Sequence, residues 1–555
     1  MSTFAADYVV VGGGLTGCTI ASRLKQHDPA TSVVVLEAGP NPESKHDVIT
    51  PMGGFALQGT ELDWQYSTTP QNGTHNRTHT LTAGKTLGGG SVLNYGGWSR
   101  GDAADYDAWS RITGFGLWDY ESLSPYFKRS ERFDPAVNAQ PGALQRGLWA
   151  PVKITSVSAS SPKRKYPLKE PILAAWRELG VERTTYGCTG RNEGVSEWLE
   201  NWDNGRRQPA HEAYSLDGVR IMSNIPVSKV IFAETNDATS TQRPKAAGVL
   251  LQNGQKIQAS REVLICAGAL RSPTILMASG IGPRSLLNDR QIPLVQELPG
   301  VGANMIDHFA LFQLFKLRPS NTGLALGHPD LDDPAMLLGL PTDFAVNEGL
   351  PRDLLEKALD KDGVTGTERD SLLEPGRCFL EFLVFYHPMH PAVPADGTHV
   401  STSVMLTLPS SRGSVTLPKN PEDPPVINPG YFTTALDRLA LIHGVRRMLQ
   451  LMLGTKAMQS YVEAEVPPPS LPTLDPSSSD SEIENRIRAA GVAHFHSMGT
   501  CALGAVLDEE MRVRGVEGLR VCDASAVPSP VGGHPQGTLY GIGERAAEMI
   551  VGETA

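Results

Sequence analysis

The first forty residues contain the feature that most restricts the fold of this 555-residue chain. An apolar run, YVVV, leads into Gly12, Gly14 and Gly17, and a helical pattern follows these glycines. A second apolar run, SVVVLEAG, contains Glu37 at its end. Strand, glycine turn, helix, strand and acid in this order are typical of a dinucleotide-binding βαβ unit. The sequence therefore predicts an α/β protein with a Rossmann-type domain.

Each residue of this motif has a physical role in holding a dinucleotide. Gly12 allows the tight turn, Gly14 lets the backbone approach a pyrophosphate, and Gly17 lets the helix pack against the strand. The phosphates are expected at the helix N-terminus, where free N–H groups favour anions. Glu37 suits a ribose hydroxyl. A glycine turn in some other α/β unit is the alternative, but all parts of the signature are present, so we predict a bound dinucleotide.

Length and charge restrict the class of protein. A chain of 555 residues is expected to form two or three domains. A net charge of -11 without basic patches argues against a nucleic-acid partner. No apolar run is long enough for a membrane span, and the N-terminus lacks the features of a secretory signal. Together with six dispersed cysteines, these features predict a cytoplasmic protein with free thiols.

Several further segments resemble the glucose-methanol-choline (GMC) family of flavoprotein oxidoreductases. AGKTLGGGSVLNYGGW (residues 83–98) is similar to the family's first signature, and CAGALRSPTILMASGIGP (residues 266–283) to its second. LPGVGANMIDH, HSMGTCALG and the C-terminal VCDASAVPSPVGGHPQGTLYGIGERAAEMI follow in the family's order. The resemblance implies FAD as the cofactor, bound to a Rossmann-type domain, and a substrate domain built on an antiparallel sheet.

The resemblance also implies how the chain is divided. The FAD-binding domain is expected to comprise residues 1–150, 216–310 and 476–555, the last carrying the catalytic histidines. The substrate domain is expected to comprise residues 151–215 and 311–475.

The first signature is expected to cover the flavin ring. Its glycines remove side chains from a loop that must lie flat against a planar group, and Asn94 offers both a donor and an acceptor. Some relatives tether the flavin to a histidine in this loop, but Val92 and Leu93 precede Asn94 here, so non-covalent FAD is expected. The predicted cofactor-binding residues are Gly12, Gly14, Leu15, Thr16, Gly17, Glu37, Gly84, Leu87, Gly88, Asn94, Tyr95, Gly97, Val227, Asp523, Ala524, Pro535 and Gln536.

The second signature and the C-terminus are expected to contain helices. Ser272 is predicted to cap a helix that begins with Pro273, and Gly280 to end it in the left-handed conformation. Residues 536–550 have apolar residues at helical spacing. As in relatives, the N-terminus of this second helix is expected to point at the flavin.

The stretch AHFHSMGTC, residues 493–501, contains two histidines. The resemblance places the catalytic base on His496 and a second catalytic position on His534. His494 falls on no catalytic position and is expected to have a packing or surface role. No metal is predicted, because no zinc-binding spacing such as C-x-x-C or H-E-x-x-H accompanies the pair.

Alcohol oxidation explains why histidines suit these positions. Forming a carbonyl removes a hydroxyl proton and a carbon-bound hydride, which would pass to flavin N5. An imidazole that titrates near neutrality can take the proton. His534 would hold the alcohol oxygen and stabilise the developing alkoxide.

Aromatic residues favour an aromatic or otherwise apolar primary alcohol as the substrate. Tyr95 and Phe495 resemble aromatic positions of the aryl-alcohol oxidase branch, so the predicted substrate-binding residues are Tyr95, Phe495, His496 and His534. A formate-oxidising relative has arginine at the position of His534, which disfavours formate. CFLEFLVFYHPMH contains Phe379, Phe382, Phe385 and Tyr386, whose spacing favours core over pocket.

Three questions stay open at the level of sequence. Residues 325–366 are charged and irregular, and form either a lid or a solvated insertion. The flavin is reoxidised by oxygen or by another acceptor. Some relatives keep FAD only as a structural group and act as lyases or cyclases, which is the alternative function, and a scaffold protein is disfavoured by the two catalytic histidines.

Overall fold

A computed structural model describes residues 4–42, 46–134, 146–184, 187–234, 243–319, 323–390 and 392–553. Most of the chain is organised around two seven-stranded sheets. In the part of the chain described, no helix combines the length and the apolar character needed to span a bilayer.

The first sheet has the predicted Rossmann character. Its N-terminal strand lies between two parallel neighbours, and the strand Leu519–Val521 extends the parallel part. On the same side of Lys256–Ile265 as Leu519–Val521, the strand Ala246–Leu251 pairs antiparallel and is followed by Val227–Phe232, also antiparallel. The seven strands are Phe4–Val11, Val33–Leu36, Arg220–Met222, Val227–Phe232, Ala246–Leu251, Lys256–Ile265 and Leu519–Val521.

The glycine turn leads from the first strand of this sheet to its helix. A Cβ on Gly12, where φ is +103°, would lie 2.5 Å from the carbonyl oxygen of Cys266. A Cβ on Gly17 would lie 2.1 Å from the carbonyl oxygen of Gly12. Only glycine fits at these two positions, which agrees with the tight turn and the close helix–strand contact expected from the sequence.

The second sheet is antiparallel, as the family resemblance implied. Its longest strand, Phe309–Leu317, pairs on one side with His399–Leu406 and on the other with Val462–Val466 and Val492–Ala493. The strand Leu380–Phe385 pairs with His399–Leu406 and is buried at all six residues. The remaining strands are Gly194–Glu197 and Phe344–Glu348.

The helices include the two that were predicted from sequence signals. The C-terminal helix begins at Gln536, as expected, and ends at Gly552. The helix of the second signature starts at Ser272 itself, so the prediction that Ser272 caps it is wrong. The Ser272 hydroxyl instead donates to Asp523 Oδ2 at 2.5 Å, while Gly280 has the predicted left-handed conformation.

The described part of the chain contains further α-helices of four or more residues besides these two. They are Leu15–His27, His46–Ile49, Gly53–Leu57, Gly90–Leu93, Ala103–Thr113, Tyr120–Ser130, Val157–Ser160, Lys169–Glu178, Ala210–Ala213, Arg284–Asp289, Arg352–Asp362, Gly366–Leu372, Ala435–Leu449, Lys456–Gln459 and Asp480–Ala490.

The charged segment that was expected to be irregular is partly built into the fold. It contributes the strand Phe344–Glu348 to the second sheet and the helix Arg352–Asp362. Leu331 and Met336 are buried in the core beside that sheet. It is therefore not merely a solvated insertion, and Leu340 lines the cavity described next.

Candidate active site

A cavity of about 580 Å³ is lined by residues from both sheets. One end is formed by the glycine turn and by Glu37, which follows the second strand of the first sheet. The other end is formed by aromatic residues and histidines, including Phe312 and Phe385 of the second sheet. The cavity therefore joins the predicted nucleotide site to the predicted catalytic histidines.

The nucleotide end has the shape and donors that a dinucleotide needs. A Cβ on Gly14 would meet only the Cα of Gly89, at 4.0 Å, so the cavity reaches the backbone at the start of the helix. Glu37 accepts hydrogen bonds from the N–H groups of Gly13 and Gly39, each at 2.9 Å. Each of its oxygens keeps acceptor capacity for a ribose hydroxyl. Burial raises the pKa of Glu37 to about 7.

Most of the predicted cofactor residues line this cavity. Gly17, Leu87 and Gly88 do not. They lie behind the residues that line it. The N–H of Gly88, for example, donates to the carbonyl of Gly13 at 2.7 Å. Those that line it are Gly12, Gly14, Leu15, Thr16, Glu37, Gly84, Asn94, Tyr95, Gly97, Val227, Asp523, Ala524, Pro535 and Gln536.

Two of the predicted cofactor residues, Asn94 and Asp523, use their side chains mainly for hydrogen bonds to other residues of the protein. Asn94 donates from Nδ2 to Gln536 Oε1 at 2.7 Å and accepts at Oδ1 from the N–H of Gly96, so it ties the signature loop to the start of the C-terminal helix. Asp523 accepts from Ser272 and Ser525 and from the N–H of Gly268. Burial raises the pKa of this carboxyl. Both side chains act as braces of the cavity wall.

Three histidines meet at the other end of the cavity. His494, His496 and His534 each bring one ring nitrogen within 4.8 Å of the others. His494, for which a packing or surface role was expected, packs parallel to Phe312 with ring centroids 6.2 Å apart, and its ring also lines the cavity. Burial lowers the pKa of His494 to about 4. The sequence carries no metal-binding motif, yet this arrangement offers three imidazole nitrogens.

His496 is held by two neighbouring residues that were not predicted from the sequence. Its backbone N–H donates to Asp307 Oδ1 at 2.6 Å, and its Nδ1 lies 2.9 Å from Nδ1 of His308. Burial, and then the neighbouring imidazoles, lower the pKa of His496 well below its ordinary value. The ring is therefore neutral at neutral pH.

Asp307 links the pair His496–His308 to Tyr431, which is buried in the core beside the second sheet. The hydroxyl of Tyr431 donates to its Oδ2 at 2.5 Å, and burial raises the pKa of Asp307 to about 7. Asp307 and His308 end the segment LPGVGANMIDH, which was noted only as a family match. The signal that could have identified Asp307 and His308 from the sequence was a charged residue beside a histidine in an otherwise apolar segment.

His534 is held by a different set of groups. Its Nε2 lies 2.9 Å from Glu381 Oε1, and its backbone N–H donates to the hydroxyl of Ser99 at 2.7 Å. Trp198 meets the ring edge-on at 5.6 Å. Glu381 was missed, although it is the one acidic residue in the apolar strand LEFLVF, where burial of a charge needs an explanation.

Aromatic side chains surround the histidines. Tyr95 stacks on Phe55 with ring centroids 4.2 Å apart, and both line the cavity. Phe495 lines it too, with a left-handed backbone (φ +62°) and 37% exposure, which places it at the mouth. Of the four aromatic residues in CFLEFLVFYHPMH, only Phe385 lines the cavity, whereas Phe379, Phe382 and Tyr386 are buried in the core.

Comparisons with known proteins agree with this architecture. Family models for the N- and C-terminal parts of GMC oxidoreductases match residues 6–310 and 409–543. The chain is 36% identical to the GMC-type oxidoreductase acuG of Aspergillus aculeatus, over 99% of each chain. Among solved structures, a formate oxidase is similar with a TM-score of 0.86 and 26% identity, covering 100% of this chain and 99% of that one. A fungal aryl-alcohol oxidase is similar with a TM-score of 0.80 and 26% identity, covering 99% of each chain. This chain belongs to the GMC oxidoreductase family.

Proposed function

We propose that this protein is an FAD-dependent oxidoreductase that converts an aromatic or otherwise apolar primary alcohol to the carbonyl compound. The observation that carries the proposal is the position of His496. Its neutral ring lines a cavity whose far end is the glycine turn and Glu37. A base that takes a hydroxyl proton and a site for an electron acceptor are thus parts of one cavity.

The residues at the nucleotide end fit FAD. Gly14 leaves the helix N-terminus open to a pyrophosphate, and Glu37 retains acceptor capacity for a ribose hydroxyl. The signature loop with Asn94 and the start of the C-terminal helix at Gln536 would meet the flavin. FAD, when bound, supplies the hydride acceptor. Val92 and Leu93 are buried beside Asn94 and offer no nucleophile, which supports non-covalent binding.

His496 is the proposed general base. Its Nδ1 is engaged with His308, so Nε2 is the nitrogen left for the substrate hydroxyl. A neutral imidazole accepts a proton directly, and depressed basicity keeps the ring neutral well below pH 6.5. Holding the hydroxyl against this nitrogen would make proton removal a step between two groups that are already in position.

His534 is the proposed second catalytic residue. Its ring centroid lies 5.1 Å from that of His496, with the planes nearly perpendicular. An alcohol oxygen between the two rings could give its proton to His496 while it accepts a hydrogen bond from His534. That bond would strengthen as negative charge develops on the oxygen.

The lining of the cavity supports the substrate class. Phe312, Phe385 and Leu383 from the second sheet, with Tyr95 and Phe495, form an apolar surface beside the histidines. Such a surface favours an aromatic or aliphatic group next to the reacting carbon. The likeness to a formate oxidase extends to the fold, whereas His534 stands where the formate-oxidising relative has arginine, so formate is not the proposed substrate.

Two further predictions accompany the proposal. We propose the division into an FAD-binding domain (1–150, 216–310 and 476–555) and a substrate domain (151–215 and 311–475). A cytoplasmic location stays a prediction.

A panel of alcohols tests the proposal. Purified yellow protein is incubated with aromatic, aliphatic and sugar alcohols, with oxygen or an artificial dye as the acceptor, and carbonyl product is measured. Turnover should be fastest with aromatic primary alcohols. The alternative, a lyase or cyclase with structural FAD, predicts no carbonyl product with either acceptor.

A further inference from the structure

Gln58 adds a polar side chain to the aromatic side of the candidate active site. It follows the helix Gly53–Leu57 and lines the same cavity as the three histidines. Its Nε2 donates a hydrogen bond to the hydroxyl of Tyr95, which also lines the cavity. Tyr95 stacks on Phe55, so a glutamine–tyrosine pair lies beside the aromatic surface proposed for the substrate.

The pair Gln58–Tyr95 keeps one donor and one acceptor for a ligand. A tyrosine hydroxyl that accepts from an amide still has its own hydrogen to donate, and the carbonyl oxygen of that amide can accept. Within the described residues, no further hydrogen bond engages either side chain. Burial raises the pKa of Tyr95, so its hydroxyl keeps its proton at neutral pH.

The backbone at Gln58 is fixed by the loop that follows it. The N–H of Gly59 donates to Asp63 Oδ2, and the N–H of Ala83 donates to Asp63 Oδ1, each at 3.0 Å. Asp63 is buried, and Ala83 is the first residue of the signature segment that contains Tyr95. Both members of the pair are therefore held by connected parts of the chain.

The pair lies along the wall that leads to the candidate catalytic histidines. Gly97 follows Tyr95 by two positions, and a Cβ on Gly97 would lie 3.8 Å from Nδ1 of His534. Gly97 and His534 line the same cavity as the pair. A substrate whose alcohol group reaches the histidines can therefore extend along the aromatic surface to Gln58 and Tyr95.

We propose that Gln58 and Tyr95 form a subsite for a hydroxyl group on the aromatic ring of the substrate, which makes hydroxybenzyl alcohols the substrate class. One hydroxyl oxygen can donate to Gln58 Oε1 and accept from the Tyr95 hydroxyl. A methyl group of similar size would leave the Gln58 oxygen and the Tyr95 hydrogen facing an apolar group, which costs binding free energy. The assignment rests on the proposed function, in which an alcohol is oxidised beside His496 and His534.

The test compares substrates that differ only in this ring substituent. For the FAD-loaded protein, 3- and 4-hydroxybenzyl alcohol are each measured against the methylbenzyl alcohol substituted at the same ring position. One hydroxyl isomer should have a kcat/KM about 10- to 100-fold above that of its methyl counterpart, the effect of one or two hydrogen bonds. The difference should appear mainly in KM, because the contact is made equally before and during the reaction. Equal kcat/KM values within both pairs would overturn the proposal.

Two variants assign the preference to the pair. Gln58→Leu, and Tyr95→Phe, which keeps the stacked ring, should each reduce the preference for the hydroxyl by about fivefold or more. Tyr95→Phe decides alone if Gln58→Leu does not fold. The matched control is Gln258→Leu, at an exposed glutamine of the strand Lys256–Ile265, which should keep the wild-type preference. An undiminished preference in either variant of the pair would overturn the subsite.

Binding measurements separate the subsite from the proposed reaction. Protein whose FAD has been reduced with dithionite cannot oxidise an alcohol, so anaerobic calorimetry gives dissociation constants for the same substrate pairs. The wild type should bind the preferred hydroxybenzyl alcohol about 10-fold more tightly than its methyl counterpart, and Gln58→Leu should lose this difference. If the wild type oxidises no alcohol, the proposed function fails, and these dissociation constants alone then support or overturn the subsite.

Discussion

Nδ1 of His308 lies 2.9 Å from Nδ1 of His496, with the two rings perpendicular. Only one hydrogen fits between these atoms, so one ring donates and the other accepts. Burial lowers the pKa of His308 well below its ordinary value, so its neutral ring carries one proton. We predict that this proton is on Nε2, so that His308 accepts from His496 and leaves Nε2 of His496 with a free lone pair. This tautomer is the one that a base requires.

Replacing His308 should therefore reduce catalysis without removing the cofactor. His308→Phe removes the acceptor and should lower kcat about 10- to 100-fold, the effect of losing an outer partner of a functional histidine. His308→Gln, whose carbonyl oxygen can still accept, should keep more activity. FAD content and steady-state kinetics are measured for both variants. Wild-type kcat in the phenylalanine variant would contradict the tautomer argument.

The pH dependence of the reaction should reflect the depressed basicity of His496. A base must be unprotonated to act, and the folded protein holds the pKa of His496 well below 6.5. The acid limb of kcat/KM should therefore lie well below pH 6.5, so that activity is retained at pH 6. The measurement is kcat/KM against pH with a non-ionising alcohol. A loss of activity centred near pH 6.5 would show that a solvent-exposed imidazole controls the reaction.

Glu37 should make the apoprotein less stable as the pH rises. Burial raises its pKa from 4.5 to about 7, so the folded state binds a proton that the unfolded state has already released in this range. The stabilisation is complete below about pH 4.5 and is lost towards pH 7, by about 1.4 kcal/mol per pH unit. Denaturant unfolding of the apoprotein at several pH values measures this slope.

Two variants separate Glu37 from other groups in that experiment. Glu37→Gln should flatten the slope between pH 4.5 and 7, although Asp307, with a pKa of about 7, keeps a similar contribution. Glu356→Gln, on the surface of the helix Arg352–Asp362, should leave the slope unchanged. An identical slope in the wild type and Glu37→Gln would refute the raised pKa of Glu37.

The three-histidine cluster should bind zinc as an inhibitor. Its nitrogens lie within 4.8 Å of one another, and tetrahedral zinc needs a separation of about 3.3 Å, so small side-chain shifts suffice. Zn²⁺ should compete with the alcohol, because it would occupy the space between the rings. Initial rates at varied zinc and alcohol concentrations test this. His494→Phe should relieve the inhibition, and undiminished inhibition in that variant would place the zinc elsewhere.

The features that the sequence predicts correctly are local ones. The roles of Gly12 and Gly17 follow from the backbone around the first turn, and the helix from Gln536 follows from its apolar spacing. The boundary at Ser272 was wrong because its hydroxyl bonds to Asp523, about 250 positions away, instead of capping the helix. Capping signals describe only the local competition for that hydroxyl.

The residues that contact the candidate catalytic histidines could not be predicted from the local pattern of the sequence. Glu381 and His308 reach His534 and His496 only because the second sheet packs against the segments that carry those histidines. The position of His494 against Phe312 depends in the same way on the strand Phe309–Leu317. A buried acid within LEFLVF was a usable signal, because such a position demands a partner.

In the proposed reaction, His496 removes the hydroxyl proton of an alcohol whose hydride passes to the bound FAD. The direct measurement is anaerobic: the FAD-loaded wild type and His496→Ala are mixed with an aromatic primary alcohol, and the loss of the yellow colour is followed. The wild type should bleach, and His496→Ala should keep its FAD but bleach about 100- to 10,000-fold more slowly. Equal bleaching rates in the two proteins, or no bleaching of the wild type with any alcohol, would contradict the claim.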